Sequence, residues 1–417
     1  MTSVCFPALP TTPGYRRGVT EQPTIFDSLT LDELRARTSE KWLAYPPDVL
    51  PLWVAEMDVP QAEPVVAAVH DAMRRGDTGY PGGIDYAQAY AELADERWGW
   101  EINPGRVRML TDVMIGITDV LKVVTEPGDT VVVTTPVYPP FFGFLKDIGR
   151  RVVTAPLGAD GRLDLAALEA VFPSVQAFLL CNPHNPTGTA HTPDELAAVA
   201  ALARTHGVRL VADEIHAPIT SPAAAAELGR PVFTPLVTVP GAENAISLVS
   251  ASKAWNLAGL KAALAVGGPE ATRDVRDIAE VADHGASHLA SIAHAAALRH
   301  ARGWLDEVNA GIDVNRWFFT ERLAERLPGA VVQGAQATYL AWVDCRGLRD
   351  ASGEPLGDDP SRVFLKNGKV AFMSGLPFGP GGEGFVRVNL ATSRAVLADA
   401  VDRMVDALAV DAAAAER

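Results

Sequence analysis

A lysine that follows two hydroxyl residues, in Ser250-Ala251-Ser252-Lys253, stands just beyond a strand-like run from Ala245 to Val249. An amine that normally titrates at about 10.4 is a poor nucleophile at neutral pH unless its surroundings lower that value or it is already condensed with an aldehyde. Small neighbours allow Lys253 to be held against a phosphorylated cofactor, as a Schiff-base lysine is. A surface lysine in a serine-rich loop is the competing reading. Upstream, Asp213 opens Asp213-Glu214-Ile215-His216 at the end of another strand-like run, with no basic residue beside it. An ionised carboxylate there needs a cation in space, and a pyridinium nitrogen is one. Such pairing keeps the ring protonated and makes it an electron sink, the service a protein gives pyridoxal phosphate. The alternative for Asp213 is a helix N-cap.

Other residues suit the same cofactor. Asn182-Pro183-His184-Asn185-Pro186-Thr187-Gly188 is a turn rich in proline, from which Asn185 can donate to a phenolate-like oxygen such as the cofactor's 3-hydroxyl. Thr111-Asp112-Val113-Met114 opens a predicted helix, and N–H groups at a helix N-terminus bind phosphate. Ser250, Ser252 and Lys261 would complete that cradle. Tyr138 follows a strand and either stacks on a planar ring or packs in the core. In Phe385-Val386-Arg387-Val388-Asn389-Leu390, strand alternation puts Arg387 and Asn389 on one face and the apolar residues on the other. A guanidinium fork there matches a substrate α-carboxylate or makes a structural ion pair. His284 and His288 have helical spacing, and His294 and His300 follow. No HExxH motif or cysteine pair accompanies them, so no metal is expected. There is also no GxGxxG after a strand and no GxxxxGK[ST], which removes the main support for nicotinamide or nucleotide functions.

The elements that must position these residues read as an α/β pattern from about Arg108 to Val266. Helix is expected over Met114 to Thr125 and strand over Thr130 to Thr134 and Ala177 to Cys181. Thr192-Pro193-Asp194-Glu195 starts a helix reaching His206, and the next strand runs from Val208 to Ala212. Asp213 and the loop after Cys181 thus fall at strand C-termini, where open α/β sheets bind ligands. Beyond lie an Ala/His-rich helical region over Asp277 to His300, a helix over Asn309 to Leu327, and strands over Thr338 to Val343 and Phe385 to Leu390. The implied division is an arm and part of a small domain over 1–54, a large domain over 55–295 and a small domain over 296–417. Ala223 to Ala226 and Ala412 to Ala415 read as solvated helix ends.

The chain has 417 residues, 48% hydrophobic and 21% charged, enough for two domains. A net charge of -15 argues against nucleic acid or an anionic membrane as a partner. Cys5, Cys181 and Cys345 are odd in number and far apart, which fits neither a disulfide framework nor a thiolate metal site and favours a reducing cytoplasm. Neither a signal-peptide pattern nor a bilayer-spanning apolar run is present, so a soluble cytoplasmic protein is expected.

Taken in order, Tyr138, Asn185-Pro186-Thr187-Gly188, Asp213, Ser250-Ala251-Ser252-Lys253 and Arg387 resemble the fold-type I pyridoxal-phosphate enzymes of aminotransferase class I/II, from about Leu52 to Leu408. Within that class the chain is similar to the MalY/PatB group of cystathionine β-lyases, or C–S lyases. Leu50-Pro51-Leu52-Trp53-Val54-Ala55-Glu56-Met57-Asp58, Gly79-Tyr80-Pro81, Asp213-Glu214-Ile215-His216 and the segment Ser252 to Lys261 carry that likeness. The resemblance implies an α/β fold, with a large domain on a mostly parallel central sheet and a smaller α+β domain. It implies a homodimer with shared active sites, acting on a small amino-acid substrate. By it, Lys253 forms the Schiff base, Asp213 pairs with the ring nitrogen, Asn185 bonds the 3-oxygen and Tyr138 stacks on the ring. Val113, Met114, Ser250, Ser252 and Lys261 hold the phosphate, with Tyr80 reaching in from a second subunit. Arg387 binds the substrate carboxylate, with Trp53 and Asn389 beside it. His216 stands where aminotransferases carry a tyrosine.

Two departures, Glu56 for the usual aspartate and Ala254-Trp255 after the lysine, are expected near the substrate side chain. The implied reaction is β-elimination from L-cystathionine or a related cysteine S-conjugate to a thiol, pyruvate and ammonia. Transamination, a specialised cysteine-conjugate step in a biosynthetic pathway and a regulatory role through a partner protein remain the alternatives.

Overall fold

The inner strands of the main sheet are apolar and buried on both faces, as a parallel sheet covered by helices requires. The structure is a computed structural model that describes residues 22–410. The expectations for Cys5 and for Ala412 to Ala415 therefore lie outside the described residues. In chain order the strands of the main sheet are β1 (Arg108–Leu110), β2 (Thr130–Thr135), β3 (Arg151–Pro156), β4 (Ala177–Cys181), β5 (Arg209–Asp213), β6 (Ile246–Val249) and β7 (Ala263–Gly267). They lie in the order β1-β7-β6-β5-β4-β2-β3. Strands β2 to β6 are parallel, while β7 runs antiparallel to both of its neighbours. The expected strands are present within one or two residues.

Helix α1 (Val113–Val124) starts where Asp112 Oδ1 accepts from the Ile115 N–H at 2.8 Å, an N-cap. Gly116 lets α1 lie close on the sheet, because a Cβ there would run into the side chains of Leu110 and Leu248. Helix α2 (Pro193–His206) is bounded as its sequence implies. Thr192 and Glu195 form a reciprocal capping box, and Gly207 closes the other end at φ +69°.

The Ala/His-rich region is not one helix. It breaks into Thr272–Asp277, Val281–His284 and α3 (His288–His300). Gly285 packs against Thr111, and the Ser287 hydroxyl caps α3 by accepting from Ala290 N–H. The break puts His284 and His288 on different helices. His288 Nε2 lies 3.0 Å from Asp77, and His294 is buried between the Tyr86 hydroxyl and the Leu260 carbonyl. Among the described residues no group of three or more metal-ligating side chains gathers.

Helix α4 (Arg302–Arg326) begins earlier than Asn309 because it serves two cores. Leu305, Val308 and Ile312 pack with the large-sheet layer, whereas Phe319 and Leu323 pack with the second sheet. That sheet is antiparallel, with β8 (Val331–Val332), β9 (Leu340–Asp344), β10 (Met373–Ser374) and β11 (Phe385–Asn389) in the order β10-β11-β9-β8. Helix α5 (Arg394–Ala409) covers it through Val396, Leu397, Ala400 and Met404. The described part of the arm is tied to this half. Asp27 pairs with Arg394 at 2.8 Å, and Leu50–Pro51 pairs in parallel with Val370–Ala371. Ala223 to Ala226 lie in the short helix Pro222–Leu228. No helix among the described residues is long and apolar enough to cross a membrane.

Candidate active site

The C-terminal ends of β4 and β5, the N-terminus of α1 and the turn after β6 surround a cleft of about 500 Å³, closed on the other side by Trp53, Val54, Ala55, Met373 and Arg387. Asp213 ends β5 with its carboxylate pointing into this cleft. It accepts from the Ile215 N–H at 3.1 Å, and burial pushes its pKa up to about 6 against the pull of that bond and of Lys253. Lys253 sits across from it, and its Nζ donates to the Ala55 carbonyl at 3.2 Å. Burial, helped by the positive charge of Arg387, lowers the Lys253 pKa to about 8, while Glu56 and Asp213 pull the other way. A useful fraction of the amine is therefore unprotonated near neutrality.

Arg387 is 3% exposed, on the polar face of β11 as strand alternation requires. Its Nη1 donates to Asn185 Oδ1 at 3.1 Å and its Nη2 to the Trp53 carbonyl at 3.0 Å. Burial lowers its pKa to about 10, so it stays a cation. Because Arg387 occupies Asn185 Oδ1, the Asn185 NH2 is left able to donate to another group. His216 lines the cleft with its Nδ1 unpartnered. Burial, with Lys253 and Arg387 nearby, holds its pKa down to about 3, so the ring is neutral. Tyr138 lines the same cleft, half-buried, its pKa raised by burial.

At the other end, Val113 and Met114 present the first N–H groups of α1, and Ser252 and Lys261 flank them. Lys261 Nζ pairs with Asp112 Oδ2 at 2.8 Å. Ser250 is not at the cleft surface. Its hydroxyl donates to the Ala262 carbonyl at 2.8 Å and accepts from Ser252 N–H, so it shapes the turn. Tyr80 is 85% exposed, beside the His284 ring and outside the cleft of its own chain.

Asn389 also faces away from open space. Its Nδ2 donates to the carbonyls of Val54 (2.8 Å) and Glu56 (2.6 Å), and its Oδ1 accepts from Ala391 N–H at 2.8 Å. It holds the Trp53–Asp58 segment in place. Asn389→Ala leaves these groups unpaired and costs about 3 kcal/mol of stability; a thermal melt should show a Tm several degrees lower. The segment is fixed elsewhere by the buried Lys41–Asp58 pair at 2.7 Å. Asn256, at φ +55°, both accepts from Met57 N–H and donates to the Met57 carbonyl.

Trp255 corrects an expectation. It is fully buried, its indole N–H donates to the Ala301 carbonyl at 3.0 Å, and it belongs to the core beside α3. The turn after Lys253 sends the two side chains in opposite directions, so the Ala254-Trp255 departure does not shape the cleft. Glu56 does bear on it, through its charge at Lys253. Sequence reasoning missed Tyr339, whose buried hydroxyl donates to the same Ala55 carbonyl at 3.0 Å and whose ring meets His216 edge-on. It also missed Glu40 and Met373 in the wall.

A strand-end carboxylate, a buried lysine and a buried arginine face one cleft, and residues 47–404 match the family model described as aminotransferase class I and II. The chain belongs to that family. Within it, the chain joins the MalY/PatB group of cystathionine β-lyases. A Mycobacterium leprae relative, provisionally named a cystathionine beta-lyase, is 49% identical over 92% of this chain and 98% of its own length. The Bacillus subtilis cystathionine beta-lyase PatB is 33% identical over 87% of this chain and 93% of its own. A Corynebacterium diphtheriae crystal structure, provisionally described as a PLP-dependent β-cystathionase, superposes with a TM-score of 0.84 at 35% identity, covering 93% of this chain and 99% of the other. The family's α/β fold agrees with the mostly parallel seven-stranded sheet.

The cleft fits pyridoxal phosphate on its own residues. Among the described residues Asp213 is a buried carboxylate without an ion-pair partner, the first N–H groups of α1 and Lys261 line the same cleft, and so does Lys253, an amine with a lowered pKa. Those groups match a ring nitrogen, a phosphate and an aldehyde carbon respectively.

Proposed function

We propose that this protein is a pyridoxal-phosphate-dependent carbon–sulfur β-lyase that converts L-cystathionine or a related cysteine S-conjugate to a thiol, pyruvate and ammonia. The observation that carries this reading is Lys253 Nζ, an amine with a pKa near 8, in one cleft with Asp213 and Arg387 in a chain of the MalY/PatB group. When bound, the cofactor supplies an electron-withdrawing ring to the substrate's Cα.

The chain's residues do the rest. With pyridoxal phosphate bound, Lys253 Nζ would hold it covalently and, as the free amine, would take the substrate's Cα proton as general base. Asp213 keeps the ring nitrogen protonated. Asn185 would donate its NH2 to the ring oxygen, and Tyr138 would stack on the ring. Neutral His216 lines the same cleft without adding charge. Val113 and Met114 N–H groups, Ser252 and Lys261 hold the phosphate, with Lys261 exchanging its bond to Asp112; Ser250 supports the turn beneath them. Arg387 receives the substrate carboxylate and Trp53 covers it, while Asn389 fixes the Trp53 segment. The Cβ–S bond would break with its electron pair leaving on the thiolate, which takes up a proton, and water would hydrolyse the released aminoacrylate to pyruvate and ammonia.

In this reading the protein is a homodimer, and Tyr80 of a second copy completes the phosphate end. Its exposure beside exposed Ile84 and Val281 supports that placement. The large domain spans 55–295, with the described part of 1–54 as arm and part of the small domain, and the described part of 296–417 as the remaining small domain. The buried, unbonded thiols of Cys181 and Cys345 support a cytoplasmic setting.

The test is to mix pyridoxal-phosphate-loaded protein with L-cystathionine in the absence of keto acid and follow pyruvate and free thiol together. Equal release of both is expected. Amino transfer that appears only when a keto acid is added would replace this reading with an aminotransferase.

A further inference from the structure

We propose that Tyr339 is a positioning residue for Lys253, acting through the Ala55 carbonyl that its buried hydroxyl shares with the lysine amine. The inference rests on the β-lyase reading, in which Lys253 is the working amine. The Tyr339 hydroxyl donates to that carbonyl at 3.0 Å, and Lys253 Nζ donates to it at 3.2 Å. A carbonyl oxygen has two lone pairs, so these two donors fill it. Asn389 binds the carbonyls on either side, those of Val54 and Glu56, and thereby fixes the stretch of chain that carries Ala55.

The backbone that delivers Tyr339 is strained. Thr338 stands at φ +61°, a left-handed conformation that β-branched residues rarely adopt. Such an outlier persists only where its surroundings over-determine it, and outliers of this kind gather at active sites. At Thr338 the surroundings are explicit. Its N–H donates to the Ile219 carbonyl at 2.9 Å, and Arg316 of α4 donates to the carbonyls of Thr338 at 2.6 Å and Ala337 at 3.3 Å. Leu390 N–H holds the Tyr339 carbonyl at 2.8 Å. The Tyr339 side chain is left 1% exposed, its ring edge-on to His216. From there it reaches the chemistry through the Ala55 carbonyl.

The consequence is for protonation. A carbonyl binds an ammonium more strongly than a neutral amine, so a carbonyl left to Lys253 alone favours the protonated form, which can neither attack an aldehyde nor accept a proton. Tyr339 offsets this by occupying part of the acceptor. Burial raises the pKa of its hydroxyl, with Arg387 opposing and Glu56 and Tyr138 adding to the rise, so it remains a donor while the lysine titrates. Around the amine, Arg387 and Lys261 lower the pKa and Glu56 and Asp213 raise it. Asp213 and His216 themselves titrate lower, near pH 6 and pH 3.

The test labels Lys253 in the cofactor-free full-length chain with acetic anhydride across the pH range of its titration, reading the extent at that residue by peptide mass spectrometry in wild type, Tyr339→Phe and Arg316→Lys. The midpoint should rise by about 0.7 unit in Tyr339→Phe, the worth of one ordinary hydrogen bond. Arg316→Lys, which loosens the clamp on Thr338, should shift it by less in the same direction, and that shift decides the question if Tyr339→Phe does not fold. Loaded with pyridoxal phosphate, Tyr339→Phe should release pyruvate about fivefold more slowly than wild type at about pH 7 and approach wild type at about pH 9.5. A midpoint that stays at its wild-type value while only the Tm falls overturns the proposal, as does a rate defect that is equal at every pH. If wild type releases no pyruvate, the lyase reading fails instead; the labelling midpoint, which needs neither cofactor nor turnover, still decides the role of Tyr339.

Discussion

Lys253→Ala abolishes turnover: pyruvate release from L-cystathionine falls by about 10⁴-fold, the upper range for loss of a positioned general base. Sodium borohydride should also cease to fix the cofactor to the chain, because the amine proposed to bond it is gone. The environment that makes Lys253 effective survives the change. Asp213, Arg387 and the Ala55 carbonyl are held by other contacts, and the Lys253 side chain contributes only one hydrogen bond to that framework. The Tm of the variant should therefore stay close to that of wild type. Retained pyruvate release in a folded Lys253→Ala protein would remove this lysine from the mechanism.

Arg387→Lys tests the other half of the site. A lysine keeps the positive charge but loses the fork that bonds Asn185 Oδ1 and the Trp53 carbonyl and that would grip a carboxylate at two oxygens. The expected result is a fall in kcat/KM of about 10²-fold, equivalent to about 3 kcal/mol, carried mainly by a raised KM. Unbinding of Asn185 adds a second signature, a shift in the absorbance maximum of the bound cofactor, since the Asn185 NH2 loses its orientation. If KM holds steady while only the thermal stability drops, Arg387 is a structural cation rather than the carboxylate's partner.

Much of the architecture was legible because its causes are local. The box of Thr192 and Glu195 and the N-cap at Asp112 each act within one helical turn, and α1 and α2 begin where those residues predict. Alternation in Phe385 to Asn389 placed Arg387 opposite Val386 and Val388, and the β9–β11 pairing keeps it so. The failures share a different cause. The Ala/His-rich stretch carries enough helix propensity for one long helix, but the close approach of Gly285 to Thr111 breaks it, and that contact joins residues far apart in sequence. Proximity in sequence to Lys253 misplaced Trp255, because a tight turn reverses side-chain direction over two residues. Ser250 and Asn389 were read as ligand groups, yet the Ser250 hydroxyl is engaged by the Ala262 carbonyl and Asn389 by backbone groups of the Trp53 segment and Ala391, partners that no spacing rule reveals.

By itself the sequence determined the α/β class, the strand ends that carry Asp213 and Asn185, the lysine, the family and the cofactor it implies. The class and the strand ends follow from residue type, period and capping, which act over short stretches of chain; the family and its cofactor rest on the resemblance of a few motifs. Only the tertiary structure decided which groups share the Ala55 carbonyl, how Asn256 and Lys41 lock the Trp53–Asp58 segment, and that Glu40 and Met373 join the cleft wall. Those contacts join residues from about fifteen to nearly three hundred positions apart. Such pairings depend on how the two sheets and the arm pack together, and packing is a property of the whole chain rather than of any window along it.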